Sequence, residues 1–180
     1  MILKFNILKL KLRLFFLRIT GATNPNIPIL SLNQQGHNSK HILIIFPNDE
    51  SEFRVAMNTF SEILNNDSNC YFHFVVNNSE HYLHKFINSN TIHLDYNKNF
   101  IKDIPFSSIN ILNKEFDMIV DLNTKFHYNC SRLAGCITGK IKVGFKSKFS
   151  DLFYNIQFDA SSANIIENAY KKIHSMVVPI

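Results

Sequence analysis

The 180-residue chain has no tryptophan, only three cysteines and no long uninterrupted apolar run. The absence of an apolar run of about 18 residues excludes a membrane-spanning helix. The cysteines, Cys70, Cys130 and Cys136, form an odd set with no C-x-x-C pair. This pattern argues against a disulfide framework and a zinc knuckle, so no metal site is predicted. The three residues are expected to be buried thiols in a reducing compartment.

Acidic residues are missing from the start of the chain, where the first carboxylate is that of Asp49. The net charge is +5, and basic residues crowd the first 18 positions: Lys4, Lys9, Lys11, Arg13 and Arg18. This excess of positive charge is compatible with binding to nucleic acid, to an anionic membrane surface or to a phosphorylated ligand. Nucleic acid is not expected, because the phenylalanines stand in apolar runs and form no basic and aromatic pattern suited to stacking on bases.

Residues 1–20 predict a basic amphipathic segment. Lys4, Lys11 and Arg18 recur every seven residues, which places them on one helical face, whereas the other two cations fall on the opposite face. The run 8–14 also alternates apolar and basic residues as a strand would. Two interpretations stay open: an interfacial helix at an anionic membrane surface, or an ordinary helix packed on its own domain. A secretory signal peptide is not indicated, since the cations are not confined ahead of the apolar stretch.

The remainder of the chain is predicted to form a polar linker over 21–40 and a single domain over 41–180. Short apolar segments alternate with amphipathic ones throughout this domain. Strands are predicted over 42–45, 71–76, 91–94, 118–122, 141–145 and 154–158, and helices over 52–64, 80–86, 128–137 and 163–176. Ser51 is the predicted N-cap of the first helix. The alternation predicts an α/β fold, a three-layer Rossmann-like domain with a mostly parallel sheet.

Candidate binding residues follow the ends of the predicted strands. Ligands of an open parallel sheet bind beyond the carboxyl ends of its strands. The residues expected there to bind substrate are Asn48, Asp49, Asp121, Asn123 and Lys146. Asp121 can equally be a strand-end residue that satisfies neighbouring N–H groups. The cations over 132–148 predict either a phosphate-binding neighbourhood or a solvated face.

The loop after the first strand carries three carboxylates within four positions, those of Asp49, Glu50 and Glu52. The partial positive charge at a helix N-terminus stabilises acidic side chains by about 0.3–1 kcal/mol each. One of these carboxylates is a candidate general base. The loop has no glycine, and its carboxylates would repel a phosphate, so a dinucleotide site is disfavoured and no cofactor is predicted.

Four segments occur in a characteristic order: 42–45, 116–123, 137–145 and 150–155. Together with the acidic loop and the helix after it, they resemble the amino-terminal domain of glycosyltransferase family 9, the heptosyltransferases of lipopolysaccharide core assembly. The resemblance covers residues 41–176. Family members begin with an apolar strand and a Gly-Asp pair that opens the first helix, and this Asp is the catalytic base. Counting from Ile45, the pair falls on Ser51 and Glu52, so the resemblance implies Glu52 as the base that activates an acceptor hydroxyl.

The resemblance also implies a GT-B architecture, in which this domain holds the acceptor and a second Rossmann-like domain supplies most contacts to the donor. The implied function is an acceptor-side glycosyltransferase domain that lacks the donor-binding domain. A nucleotide-sugar donor is expected only with a second domain or chain, since one wall of a cleft cannot enclose a ligand. A lipid-linked sugar is the implied acceptor. The alternative is a noncatalytic binding or assembly module of the same fold. The expected location is the cytoplasm, peripheral on the inner membrane through residues 1–20.

Overall fold

The computed structural model describes residues 11–16, 19, 40–65, 70–78, 90–96, 113–162 and 165–177. The helix predicted over 80–86 lies outside these ranges. Much of the segment 1–20 and nearly all of the predicted linker over 21–40 lie outside them as well.

A six-stranded sheet forms the centre of the domain. Its strands are β1 Lys40–Ile45, β2 Cys70–Asn77, β3 Thr91–Leu94, β4 Phe116–Asp121, β5 Gly139–Phe145 and β6 Ile156–Phe158. Their spatial order is β3-β2-β1-β4-β5-β6, and each described pair of neighbours is parallel. All six predicted strands are confirmed. The strand order is that of a doubly wound sheet, which confirms the predicted Rossmann-like fold.

Helices cover both faces of the sheet: α1 Glu50–Thr59, α2 Ser61–Asn65, α3 Tyr128–Cys136 and α4 Ile166–Val177. Helices α3 and α4 confirm the predictions over 128–137 and 163–176. The single helix predicted over 52–64 is divided at Phe60 into α1 and α2. The division occurs there because the Phe60 backbone leaves the helical region (φ −98°, ψ 10°) and its ring is fully buried.

The N-cap prediction for Ser51 is wrong. Helix α1 begins at Glu50 and is capped by Asp49, whose Oδ1 accepts hydrogen bonds from the backbone N–H groups of Ser51 (3.0 Å) and Glu52 (3.2 Å). Aspartate caps helices as well as serine does, and Asp49 has the extended backbone of a cap (φ −76°, ψ 129°). Ser51 therefore lies inside the first turn.

Two apolar cores lie on opposite faces of the sheet. Ile42 and Ile44 of β1 belong to the core that α1 and α4 cover. Leu43 and Ile45 belong to the core that α3 covers. Burial of such a side chain contributes about 1.5–3 kcal/mol relative to exposure. Because both faces are covered, β1 is continuously apolar, as expected for a central parallel strand.

The amino-terminal segment is helical over 11–16 and at residue 19, so the alternation over 8–14 does not produce a strand from residue 11 onward. Leu14 is 4% exposed and belongs to the core on the α3 side of the sheet. The part of the segment around Leu14 therefore packs on the domain. Within the described ranges, no helix combines the length and the apolar character needed to cross a bilayer.

Candidate functional site

The candidate site lies at the topological switch point of the sheet, between β1 and β4. From these adjacent strands the chain continues to opposite sides, β1 toward β2 and β4 toward β5, and open α/β sheets bind ligands beyond the carboxyl ends of the strands at such a point. Asn48, in the loop after β1, donates its backbone N–H to Oδ1 of Asn123, in the loop after β4, at 2.9 Å. The loops after β1 and β4, which carry the predicted site residues Asn48, Asp49 and Asn123, are therefore joined.

Glu52 lies on the first turn of α1 and faces the loop after β4. Its Oε1 accepts a hydrogen bond from the Thr124 hydroxyl at 2.5 Å, and its Oε2 accepts one from the Thr124 backbone N–H at 3.4 Å. The residue is only 5% exposed. Glu52 thus stands at the switch point and is held there by Thr124, which the sequence analysis missed. The place of Thr124 in the polar loop directly after β4 is a signal that could have identified it.

The Asp49 carboxylate stabilises the start of α1. Besides the two backbone N–H groups, its Oδ1 accepts the Ser51 hydroxyl at 2.5 Å. The hydrogen bond from this hydroxyl lowers the pKa of Asp49 most, and the positive charge of Lys125 lowers it further. Asp49 therefore stays ionised and fixes the turn on which Glu52 lies.

A buried hydrogen-bond network supports the loop after β4. Asp121 is 1% exposed; its Oδ1 accepts hydrogen bonds from the backbone N–H (3.0 Å) and Nδ2 (2.7 Å) of Asn123. Its Oδ2 accepts the Tyr154 hydroxyl at 2.5 Å, and that hydroxyl lies 2.8 Å from Oγ of Ser131 in α3. Burial raises the pKa of Asp121, although both partners oppose the rise, and burial also raises the pKa of Tyr154. Asp121 therefore accepts hydrogen bonds from neighbouring donors and holds the Asn123 side chain in place at the carboxyl edge.

Hydrogen bonds continue from this edge across β1, β2 and β3. Asn77, at the end of β2, donates from Nδ2 to Oδ1 of Asn48 at 2.7 Å, and its Oδ1 accepts the Tyr96 backbone N–H at 3.5 Å. The Tyr96 hydroxyl lies 3.0 Å from the Phe46 carbonyl oxygen and 2.9 Å from that of Val75. A chain of hydrogen bonds thus joins the carboxyl ends of adjacent strands from β3 to β4. Such a network makes this edge rigid.

Helix α4 contributes Tyr170 to the same region. Its hydroxyl donates to the Leu122 carbonyl oxygen at 2.9 Å. Burial raises the pKa of Tyr170, and the negative charges of Glu52 and Asp121 raise it further. Through this hydrogen bond, Tyr170 holds α4 against the start of the loop after β4. Its place within an amphipathic helix indicates a core residue, so no sequence signal assigned it to the site.

The basic side chains over 132–148 do not come together in a single phosphate-binding neighbourhood. Lys140 and Lys146 stand at opposite ends of β5, which is about 20 Å long at the rise of a strand. Lys140 forms an ion pair with Asp117 at 2.6 Å, and Nζ of Lys142 donates to a backbone carbonyl of α3 at 2.6 Å. Lys146 is exposed just beyond the carboxyl end of β5 and so lies on the same edge of the sheet as Asn48 and Asn123.

The chemistry available at this edge is that of carboxylates, amides and hydroxyls. Glu52 can accept a proton, while Asn48 and Asn123 can position a polar ligand. Over the described part of the chain, no three His, Cys, Asp or Glu side chains are arranged to hold a metal ion.

No protein-family model matches the chain, and no curated protein matches its sequence. Its fold is similar to that of the E. coli heptosyltransferase WaaC with ADP, with a TM-score of 0.54 and 12% identity over 77% of this chain and 47% of that one. WaaC with ADP-2-deoxy-2-fluoro heptose is similar too, with a TM-score of 0.50 and 14% identity over 76% and 47% of the two chains. The predicted resemblance to the heptosyltransferase fold is confirmed. The chain spans about half the length of these structures.

Proposed function

We propose that this domain binds a sugar acceptor and serves as the acceptor-side half of a glycosyltransferase of the heptosyltransferase type. The observation that carries the proposal is the position of Glu52, whose carboxylate lies at the switch point between β1 and β4 in a fold similar to that of WaaC. Glycosyl transfer to a sugar hydroxyl requires a base that takes the proton of that hydroxyl, and a positioned carboxylate supplies one.

The Thr124 hydroxyl marks the place of the acceptor hydroxyl in this proposal. Its oxygen lies 2.5 Å from Oε1 of Glu52, close to the distance of about 2.6–3.2 Å at which a base takes a proton. An acceptor hydroxyl replaces Thr124 at Oε1 and gives its proton to Glu52. Its oxygen then attacks the anomeric carbon of the donor, and the nucleotide leaves with the electron pair of the broken glycosidic bond.

The neighbouring residues of the edge are the proposed acceptor contacts. Asn48 and Asn123 lie beside the carboxylate in the two joined loops, and Lys146 is the proposed contact for a phosphate of a lipid-linked sugar. Asp49 and Asp121 act indirectly, because they hold the turn of α1 and the Asn123 side chain in place.

The proposed donor is a nucleotide-sugar, bound by a second domain or a second chain. The similar structures of WaaC contain ADP and ADP-2-deoxy-2-fluoro heptose, which favours an ADP-sugar as the first donor to test. The proposed place of the reaction is the cytoplasmic face of the inner membrane, where a lipid-linked acceptor is accessible.

Transfer of heptose or hexose from an ADP-sugar to a lipid-linked acceptor tests this function, with the full chain alone and with candidate partner chains. Glu52→Gln is expected to lower kcat by about 10²–10⁴-fold, because the amide cannot take up the proton. Glu50→Gln is the matched control, since Glu50 lies on the same turn but forms an exposed ion pair with Arg54. A transfer rate that is indifferent to Glu52→Gln would remove the proposed base.

Thr124→Val sharpens the same experiment. The valine keeps the shape of the side chain but removes the hydroxyl that the acceptor has to displace. The expected result is a lower acceptor KM with kcat largely retained. A large loss of kcat would instead assign the Thr124 hydroxyl a direct part in the reaction.

A noncatalytic binding module of the same fold is the second candidate. The burial of Glu52 and its two hydrogen bonds from Thr124 favour it. This candidate predicts acceptor binding without transfer for every donor and partner chain, and an acceptor affinity that Glu52→Gln leaves unchanged. Titration calorimetry with the acceptor, run beside the transfer assay, separates the two.

A further inference from the structure

The amino-terminal helix exposes apolar side chains that the candidate site does not use. The exposed fractions of Leu12, Phe15, Phe16 and Ile19 are 49%, 58%, 60% and 64%. These four residues form the apolar face. On the helix over 11–16, the spacing of Leu12, Phe15 and Phe16 places these three within an arc of about 100°, and Ile19 stands three positions after Phe16 in the sequence.

The other side of the same helix is attached to the domain. Leu14 is buried in the core on the α3 side of the sheet. The guanidinium carbon of Arg13 lies 5.9 Å from the ring centroid of Tyr128, the first residue of α3. These contacts hold the helix on the domain with its apolar face outward. Packing on the domain and an interfacial position, which the sequence presented as alternatives, are therefore compatible.

The charges around the apolar face favour an anionic surface as its occupant. Lys11 and Arg13 border the apolar face on its two sides, since successive residues advance by about 100° around a helix. Residues 1–20 contain five basic residues and no acidic residue. A second copy of this segment would bring like charges together, whereas the phosphates of anionic lipids would neutralise them.

We propose that this helix binds the surface of an anionic membrane, with its apolar face in the boundary between headgroups and acyl chains and its cations at the lipid phosphates. Helix α3, which the amino-terminal helix contacts through Tyr128, begins directly after the loop that carries Asn123 and Thr124. A bound helix therefore places the edge of the candidate site beside the lipid surface, where the headgroup of a lipid-linked acceptor lies. That last consequence rests on the proposed function, whereas the membrane binding does not.

Vesicle flotation of the full chain tests the proposal, with phosphatidylcholine vesicles that contain or lack phosphatidylglycerol. The wild-type chain is expected to float with the anionic vesicles and much less with the zwitterionic ones. The double substitution Phe15→Gln and Phe16→Gln is expected to weaken binding at least about tenfold, because two apolar rings no longer enter the boundary. Lys11→Gln is expected to weaken it about fivefold through the loss of one cation.

Two matched controls lie elsewhere on the surface of the domain. Ile165→Gln replaces an apolar residue that is 61% exposed, and Lys172→Gln removes an exposed cation of α4. Both are expected to float like the wild type, and circular dichroism checks that every variant is folded. The Lys11→Gln result keeps the test decisive if the double variant does not fold.

Three results would overturn the proposal. The first is a wild-type chain that floats with neither kind of vesicle, and the second is a double variant that floats as well as the wild type. The third is self-association without vesicles that the double variant abolishes, because the apolar face would then be an interface between copies. Flotation requires neither donor nor acceptor, so a failure of the proposed transferase activity leaves these outcomes unchanged.

Discussion

Buried polar side chains at the two ends of the central strands differ in their hydrogen bonding. At the carboxyl ends, Asp121, Asn123 and Asn48 are linked by hydrogen bonds of 2.7–3.0 Å. Toward the amino ends, His73 of β2 is 3% exposed, and no described residue offers a hydrogen bond to either of its ring nitrogens. Its surroundings are rings instead, with centroids 5.9 Å away in His41 and 5.5 Å away in Phe116.

The buried polar groups at the carboxyl edge have hydrogen-bond partners and fix the geometry of a surface. The buried imidazole of His73 has none among the described residues and lowers the stability of the fold. A buried polar group with partners contributes little net stability but fixes geometry, whereas one without partners costs the full desolvation of that group. The carboxyl edge therefore has the order that a binding site needs. The contribution of His73 to the free energy of unfolding should depend on pH, and His73 should tolerate replacement by an apolar residue.

The largest loss of stability is expected from removing Asp121, the central acceptor of the hydrogen-bond network at the carboxyl edge. Asp121→Ala should lower the free energy of unfolding by about 3–5 kcal/mol, because the Asn123 and Tyr154 donors remain buried without an acceptor. Urea unfolding measures the loss. Asp121→Asn keeps one acceptor oxygen and should cost about 1 kcal/mol. Equal losses for the two variants would contradict the role assigned to this network.

A smaller effect on stability, whose size depends on pH, is expected at His73. Burial, with the positive charges of Lys114 and His41, lowers its pKa from 6.5 to about 4. The unfolded chain takes up this proton near pH 6.5 while the folded protein does so only near pH 4, so the unfolded state binds more protons between these values. The free energy of unfolding should therefore fall by on the order of 2–3 kcal/mol as the pH drops through this window.

His73→Leu separates this contribution from those of other groups. The variant should lose that part of the pH dependence and be as stable as the wild type, or more stable, at neutral pH, because an unpartnered polar group is replaced by an apolar one. Denaturant unfolding at several pH values measures both properties. An unchanged pH profile would show that His73 has a partner in solution.

The smallest effect is expected at the outer end of the hydrogen-bond chain. Asn77→Ala removes two partly buried hydrogen bonds, one to Asn48 and one to Tyr96, and should lower the free energy of unfolding by about 0.5–1.5 kcal/mol. The matched control is Asn78→Ala, since Asn78 is the exposed neighbour and its replacement should change stability by less than about 0.5 kcal/mol. Faster amide exchange at Tyr96 in the first variant alone would locate the loss at this edge.

The strands could be predicted because buried parallel strands are continuously apolar, as over 42–45. The ends of elements were less predictable. Residues 154–158 show the pattern of a strand from Tyr154 onward, yet Tyr154 precedes β6 and directs its hydroxyl to Asp121. The start of α1 is equally hard to predict, since aspartate and serine are equally good caps and only the backbone conformation distinguishes Asp49 from Ser51.

The candidate site could be predicted in outline, because the carboxyl ends of the strands follow from the fold class. Its supporting residues could not. Thr124 meets Glu52 from 72 positions along the chain, and Tyr170 meets Leu122 from 48 positions away. Contacts between residues so far apart in the sequence depend on how the helices pack on the sheet, and no local pattern of residue types predicts them.

The most direct test of the central claim, that the acceptor binds at the switch point between β1 and β4, is an NMR titration of the full chain with the sugar portion of a lipid-linked acceptor. The expected result is that the backbone amide shifts of Asn48, Asn123 and Thr124 change most, while those of His41 and His73 stay unchanged. Shifts that concentrate around the histidines, or a titration that leaves the carboxyl edge unaffected at saturating acceptor, would contradict the claim.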